Sequence, residues 1–125
     1  MKWELDDGRP IWPQLKDIMA KAIIMGEFPL GGSFPTVRDL AEDAGVNRNT
    51  MQRALAELET EGLLITNRTA GRTVTTDEKL VAHMRNVVAK NCVENFCTEM
   101  KSLGFTAEQA AKMIIDKGED TDDNK

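Results

Sequence analysis

The sequence predicts a mainly α fold that contains one small β-hairpin, and three observations support this prediction. Apolar residues recur at helical spacing in three successive stretches between residues 10 and 62. Two short runs rich in β-branched residues flank a turn segment between residues 63 and 75. A longer helical pattern follows from Asp77. The 125 residues, of which 41% are hydrophobic and 30% charged, fit one ordinary domain with a helical appendage.

The three N-terminal helices are predicted from their apolar stripes and from the residues at their ends. The stripe of the first helix consists of Leu15, Ile18, Met19, Ala22 and Ile23. The second helix is expected to begin after Thr36, which forms a capping box with Asp39, and to end at a tight turn of Gly45. The third helix is expected to begin after the cap Asn47 and to stop at Gly62.

Two further helices are predicted in the C-terminal part of the chain. A long helix with an apolar face is expected from Asp77 to Leu103, and a second capping box at residues 106–109 opens a last helix that ends at Gly118. The final residues are polar and acidic, which is typical of a disordered end. We therefore expect a first domain of residues 1–76, a second of residues 77–118, and a disordered acidic tail of residues 119–125.

The second and third helices, separated by Gly45 and Val46, form a helix-turn-helix. Strands expected at residues 63–66 and 73–75, around a turn at 67–72, place a β-hairpin directly behind the third helix, which completes a winged helix-turn-helix. The polar residues that project from the outer side of the third helix are Asn47, Arg48, Asn49, Thr50 and Gln52. Arginine pairs geometrically with guanine, and asparagine or glutamine with adenine, so these residues are candidate base readers. Arg38, one helix earlier, is expected to reach the same groove edge or its phosphates.

The formal net charge of −5 does not by itself indicate a nucleic-acid-binding protein. Residues 1–76 carry nine Lys or Arg and eleven Asp or Glu, so the DNA-binding candidate region is not basic as a whole. What matters for a phosphate backbone is the sign of one face. The stretches 46–53 and 65–76 each contain two arginines and no acid. The charge distribution is therefore compatible with DNA binding without predicting it.

Three motifs, in this order, resemble the GntR family of bacterial regulators. They are PTVRDLA at residues 35–41, GVNRNTM at residues 45–51 and ALAELETEGL at residues 54–63. The resemblance covers residues 10–75 without a gap. It implies that Arg38 and Arg48 contact DNA, with the neighbouring residues Asn47, Asn49, Thr50 and Gln52 beside them.

The wing departs from the usual pattern of the family it resembles. Wings in that family usually carry a glycine, a basic or polar residue and a second glycine, which lets the backbone enter the minor groove. In this chain Thr69 stands at the first glycine position and only Gly71 remains. We expect Gly71 to lie at the DNA and Arg68 or Arg72 to reach phosphates instead.

The 49 residues from Asp77 onward are too few for the effector domains of the larger GntR subfamilies, and they resemble the two-helix tail of YtrA-type members. This resemblance implies a homodimeric repressor of an inverted-repeat operator, and in that subfamily the regulated genes often encode ABC transporters. The dimer interface is expected to consist of Leu80, Met84, Val87, Val88, Cys92, Phe96 and Met100.

Two other interpretations remain open on the same fold. In one, an unknown small-molecule effector binds within the dimer interface and sets operator affinity. In the other, the chain is a protein-interaction module with weak or lost DNA binding, as the acidic balance and the altered wing suggest. The sequence has no nucleophile–base pair, phosphate loop or metal-ligand spacing, so no enzyme activity, cofactor or metal is predicted. It also has no secretory signal or membrane-spanning run, so a cytoplasmic location is expected.

Overall fold

Within the described residues, five helices and two strands follow one another in the order that the sequence predicts. A computed structural model describes the backbone of residues 1–123 and the side chains of residues 1–119. The elements are α1 (Ile11–Ile24), α2 (Val37–Ala44), α3 (Arg48–Thr60), β1 (Leu64–Asn67), β2 (Gly71–Val74), α4 (Glu78–Ser102) and α5 (Ala107–Asp123). The mainly α fold with a small β-hairpin is therefore confirmed.

The N-terminal core forms where α1 and α2 pack against α3 and the hairpin closes one side. Its fully buried large side chains are Leu15, Met19, Ile23, Met51, Leu55, Leu58, Leu63, Leu64 and Val74. The predicted apolar stripes of α1 and α3 supply most of these residues. Because the inner face of α3 is buried in this core, its opposite face is left in solvent.

The helix ends are fixed by local hydrogen bonds that the sequence predicts. Thr36 Oγ1 accepts a hydrogen bond from the backbone N of Asp39 at 3.1 Å, and Asn47 Oδ1 accepts one from the backbone N of Asn49 at 2.7 Å. Between these two caps, Gly45 has a φ of 69°, a left-handed conformation that glycine adopts at little cost. This turn sets the angle at which α3 leaves α2.

The hairpin turn is tighter than the sequence analysis predicts. Asn67 lies opposite Gly71 in an antiparallel ladder, so the connecting turn has only three residues, 68–70, rather than the six expected. Gly71 has a φ of 73°, which allows the chain to re-enter the ladder at once. Asn67 Oδ1 also accepts a hydrogen bond from the backbone N of Thr69 at 3.1 Å and stabilises the turn.

The segment before α2 pairs with the free edge of β2, which the sequence analysis treated as loop. Ser33 forms a β-bridge with Thr73. The backbone N of Phe34 donates to the carbonyl of Arg72, and the backbone N of Val74 donates to the carbonyl of Gly32, both at 2.9 Å. Strand β2 is therefore hydrogen-bonded on both sides.

The chain divides into two compact units, Met1–Arg85 and Asn86–Lys125, with the division inside α4. The first unit extends beyond the expected boundary at residue 76 because Val81 and Met84 pack against the N-terminal core. Leu80 also contributes, since its Cδ2 lies 3.1 Å from where a Cβ at Gly62 would stand.

Helix α5 opens with the predicted capping box and continues past its predicted end. The backbone N of Thr106 donates to Gln109 Oε1 at 2.8 Å, and the backbone N of Gln109 donates to Thr106 Oγ1 at 3.1 Å. We expected the helix to end at Gly118 and a disordered tail to follow, but helix continues to Asp123. Gly118 does not adopt the positive φ of a helix-ending glycine, whereas Gly104 does, at 89°. Residues 124 and 125 of the expected tail lie outside the described residues.

Candidate nucleic-acid interface

The solvent face of α3 carries the polar residues that the sequence predicts as base readers. Asn49, Gln52 and Arg53 are exposed, and their spacing of three and four residues places them on one stripe of the helix. The opposite stripe, which includes Met51 and Leu55, is fully buried. The polar residues of the exposed stripe therefore do not contribute to the core.

The N-terminus of α3 combines a side-chain cap with an exposed arginine. Asn47 caps the helix and is itself exposed, and Arg48 follows as the first helical residue. Within residues 1–119 the guanidinium of Arg48 forms no ion pair, so its five donors are not committed to a carboxylate. Thr50, half-buried, lies in the same first turn. Free N–H groups and the positive end of the helix dipole favour an anion here.

An N-terminal strap, residues 1–7, lies beside the helix-turn-helix. Trp3 Nε1 donates a hydrogen bond to Asp43 Oδ2 near the end of α2 at 2.7 Å, and Leu5 packs on the core. The groove between the strap and the turn, about 490 Å³, is lined in part by Asn47 and Thr50. Local sequence patterns do not predict this contact because its partners are 40 residues apart.

Arg38 is exposed in the first turn of α2, as predicted. Its Nε lies 3.4 Å from Glu42 Oε1, and both side chains are about two-thirds exposed, at 68% and 65%. A solvent-exposed pair of this kind contributes little free energy. Arg38 can therefore exchange this carboxylate for a phosphate at small cost.

The two wing arginines occupy different environments. Arg68 is exposed in the turn between β1 and β2, beside the exposed Gly71. The side chain of Arg72 is only 18% exposed, and its Nε donates to Glu59 Oε1 at 2.5 Å. Arg68 is thus placed to reach out of the wing, whereas Arg72 ties the wing to α3.

Glu59 accepts two hydrogen bonds at its Oε1, from Arg72 and from Thr66 Oγ1 at 2.8 Å. Burial disfavours the charged carboxylate, but the hydrogen bonds from Thr66 and Arg72 and the charge of Arg72 outweigh it and lower the pKa of Glu59. Glu59 is therefore held as a carboxylate that anchors the base of the wing.

The acids at the far end of α3 are largely engaged in ion pairs. Glu59 pairs with Arg72, and Glu61 pairs with Lys16 Nζ of α1 at 2.6 Å. These side chains are all less than one-third exposed. Much of the negative charge of this region is thus neutralised by ion pairs that lie far from the N-terminus of α3. The negative net charge of the chain therefore does not argue against DNA binding at that N-terminus.

Arg53, the second arginine of the acid-free stretch 46–53, is a further candidate interface residue beside the predicted base readers. Its guanidinium carbon lies 4.5 Å from the centroid of the Trp12 ring, within the range of a cation–π interaction. The two residues belong to different helices, so helical spacing alone does not reveal the contact.

The residues expected at a dimer interface are spread over both units. Leu80 and Met84 belong to the first unit and pack within it, as described above, and Met100 belongs to the second unit and is buried. Val87 and Cys92 are exposed, and Val88 and Phe96 are half-buried. The second unit also exposes apolar residues outside the expected set, namely Val93, Leu103, Phe105, Met113, Ile114 and Ile115.

The described residues contain no group of three His, Cys, Asp or Glu side chains that could hold a metal ion. Among these residues no helix is long and apolar enough to cross a membrane. Neither Cys92 nor Cys97 forms a disulfide.

The sequence pattern of the family described as "Bacterial regulatory proteins, gntR family" matches residues 13–74, the helix-turn-helix and wing. The HTH-type transcriptional regulator YhcF of Bacillus subtilis is 29% identical over 111 residues, which cover 89% of this chain and 92% of YhcF. The HTH-type transcriptional repressor YtrA of Bacillus subtilis is 34% identical over 70 residues, which cover 56% of this chain and 54% of YtrA.

Solved structures agree with these sequence comparisons. A GntR family transcriptional regulator from Listeria monocytogenes matches with a TM-score of 0.81 and 34% identity, over 90% of this chain and 98% of that one. YtrA from Sulfolobus acidocaldarius, a GntR-family transcription factor, matches with a TM-score of 0.55 and 27% identity, over 74% of this chain and 96% of that one. These relatives are transcriptional regulators and not enzymes, and they include YtrA-type members. The chain therefore belongs to the GntR family and is a DNA-binding transcriptional regulator.

Proposed function

We propose that the protein is a homodimeric repressor that binds an inverted-repeat operator. The observation that carries this proposal is the capped N-terminus of α3, where Arg48, Asn49 and Gln52 are exposed and Arg48 forms no ion pair within the described residues. A helix N-terminus with such side chains fits the major groove, where arginine reads guanine and asparagine or glutamine reads adenine.

The remaining candidate residues divide by the DNA group that they can reach. Asn47 and Thr50 lie at the start of α3, where backbone N–H groups favour phosphate, and Arg38 lies at the rim with a weakly held carboxylate. Arg68 and Gly71, at the wing, are proposed to meet phosphates or the minor groove. Arg72 is less well placed for DNA because its Nε is engaged with Glu59.

The second unit supports a homodimer because it exposes large apolar side chains. Val93, Leu103, Ile114 and Ile115 are each more than half exposed, at 61%, 71%, 58% and 61%. Exposed apolar patches on a small unit commonly mark a protein interface. A two-fold pair of chains would present two recognition helices, which fits an inverted repeat.

The repressor part of the proposal is supported by the resemblance to YtrA-type members, one of which is named a transcriptional repressor. The same resemblance supports ABC transporter genes as targets. Transcript levels in a strain lacking the gene test both points. We expect the genes next to selected operator sequences to rise in expression; a fall would indicate an activator.

The DNA-binding part is tested by selecting duplexes from a random-sequence library with the wild-type protein. We expect enrichment of an inverted repeat, and sedimentation of the complex should give two chains per duplex. If about six to eight phosphates are contacted per dimer, the logarithm of the affinity should fall against the logarithm of the salt concentration with a slope of about −5 to −7. No enrichment and a flat salt response would instead favour a protein-interaction module.

A further inference from the structure

The contact between Arg53 and Trp12 joins the recognition helix to the first turns of α1. The guanidinium carbon of Arg53 lies 4.5 Å from the Trp12 ring centroid. Arg53 is exposed and Trp12 is half-buried against the core, so the ring is a fixed platform and the guanidinium lies at its solvent side. A guanidinium that lies over a ring at this distance is held by a cation–π interaction and not by a carboxylate.

Arg53 lies at the C-terminal edge of the exposed polar face of α3, which also includes Asn49 and Gln52. It follows Asn49 by four residues and therefore lies on the same stripe, one turn further along. It lies about 7.5 Å along the helix axis from Arg48, at 1.5 Å per residue. Because the N-terminal residues of a recognition helix reach the bases, a residue one turn later lies closer to the phosphates that border the groove.

The electrostatic surroundings leave the charge of Arg53 uncompensated by carboxylates. Within residues 1–119 Arg53 forms no ion pair, although Glu57 follows it by four residues, the spacing at which helical ion pairs form. By contrast, Arg38 and Arg72 each contact a carboxylate. An arginine that is held over a ring and forms no ion pair is suited to bind a phosphate through its N–H groups.

We propose that Arg53 binds a phosphate of the DNA backbone in each half-site and that Trp12 is the positioning residue that holds its guanidinium ready. This proposal rests on the proposed function and adds a phosphate contact and its support to the interface. Since the contact is to the backbone, it contributes affinity without sequence preference.

The first experiment compares Arg53→Gln with the wild type on the duplex that the wild type selects. Loss of one phosphate contact per half-site should reduce the steepness of the salt dependence by about two units per dimer and weaken binding about tenfold per half-site at 0.1 M salt. The ratio of affinities for the selected duplex and a scrambled one should not change.

The matched control is Lys21→Gln, which removes the same charge. Lys21 is exposed on α1 nine residues after Trp12, so it projects from the opposite side of that helix. We expect the salt slope of this variant to equal that of the wild type. An Arg53→Gln slope no different from the Lys21→Gln slope would overturn the phosphate contact. A falling affinity ratio for Arg53→Gln would overturn it in favour of a base contact.

The second experiment tests the role of Trp12 with Trp12→Leu and the milder Trp12→Phe, each made in the wild type and in Arg53→Gln. If Trp12 acts through Arg53, Trp12→Leu should weaken DNA binding several-fold in the wild type and leave the affinity of Arg53→Gln unchanged. Trp12→Phe should show the same pattern with a smaller loss. Equal losses in both backgrounds, at unchanged melting temperatures, would overturn the positioning role.

These outcomes are distinct from a failure of the proposed function. A wild-type protein that enriches no duplex would remove the proposed function and this inference together. A wild-type protein that enriches an inverted repeat while Arg53→Gln keeps its salt slope would remove this inference alone.

Discussion

Arg72 and Glu59 connect the wing to the recognition helix through a half-buried ion pair, with Arg72 Nε 2.5 Å from Glu59 Oε1. The two side chains are 18% and 29% exposed, so water screens them less than it screens a surface pair. The pair lies at the base of the hairpin, where Thr66 of β1 contacts the same carboxylate oxygen. The wing is therefore tied to the helix whose N-terminal end is proposed to read DNA.

Removing Arg72 should destabilise the first unit. We expect Arg72→Ala to lower the free energy of unfolding by about 1–2 kcal/mol, because a partly buried carboxylate loses a charged hydrogen-bond partner. Chemical denaturation measures this change. The matched control is Arg9→Ala, whose pair with Asp6 is 67% and 59% exposed and should therefore contribute little to stability. Equal losses for the two variants would contradict a structural role for the Arg72–Glu59 pair.

The contribution of Glu59 to stability should depend on pH in one direction. Burial raises the pKa of Glu59, but the hydrogen bonds from Thr66 and Arg72 lower it by more than burial raises it. The folded-state pKa therefore lies below the ordinary value of 4.5. The carboxylate therefore stabilises the fold at pH values above 4.5, and this contribution is lost as the pH falls through the folded-state pKa.

Unfolding free energies of the wild type and Glu59→Gln, measured across a pH series, test this dependence. The difference between them should be constant near neutral pH and shrink below pH 4.5. The pKa of Asp6 is also lowered, chiefly by the hydrogen bond from the backbone N of Gly8, but Asp6 is present in both proteins and cancels. A difference that stays constant into acid would show that the charge of Glu59 contributes nothing.

Specific DNA binding should depend most strongly on Arg48. A bidentate contact of arginine with guanine contributes about 1–3 kcal/mol, so Arg48→Ala should weaken binding by roughly one to two decades per half-site and blur discrimination between duplexes. Arg38→Ala should weaken binding with less loss of discrimination if its contact is to phosphate. Gel-shift titrations measure both effects. A folded Arg48→Ala protein that binds the selected duplex as the wild type does would contradict the assignment of α3 as the reading element.

Self-association should depend on apolar side chains that are exposed in the single chain. Val93 in α4 is 61% exposed, so Val93→Asp should leave the protomer folded while placing an unpaired charge in a dimer interface. We expect sedimentation to show monomers at concentrations where the wild type is dimeric, and operator affinity should fall accordingly.

The control for Val93→Asp is Val93→Thr, which keeps nearly the same side-chain shape at this position and adds no charge. This variant should remain dimeric. Dimers of both variants would exclude the face of Val93 from the interface, and a monomeric wild type would contradict the homodimer itself.

Sequence reasoning predicted the parts of the fold that local chemistry controls. The caps Thr36 and Asn47 and the turn at Gly45 act within four residues of themselves, so their hydrogen bonds and backbone angles follow from the residue types. The apolar stripes predict where the helices lie because an amphipathic helix buries one of its faces. The placement of Arg48 on the solvent side of α3 follows from these two facts together.

Contacts between residues distant in the chain were not predictable in the same way. Arg53 and Trp12 are in contact because α1 packs against α3. Arg72 reaches Glu59 because the hairpin turn has only three residues, which sets the position of Arg72 on β2. The turn expected from the sequence includes Gly71, because glycine is typical of turns, but in the structure Gly71 is the first residue of β2. Helix α5 was predicted to stop at Gly118 because a glycine permits a helix to end without requiring it.

The pairing of Ser33 with β2 has a consequence for how new DNA specificities arise in such a chain. The backbone N of Phe34 donates to Arg72 of β2, and the backbone N of Val74 in β2 donates to Gly32. These main-chain hydrogen bonds connect the wing to the segment before α2, and no side chain takes part in them. One of the connections between the wing and the helix-turn-helix is therefore made by main-chain atoms, in addition to the side-chain contacts of Glu59. Under the proposed function, substitutions of the exposed residues Asn49 or Gln52 would alter base preference and leave these main-chain hydrogen bonds in place, so operator preference could change without a change of fold.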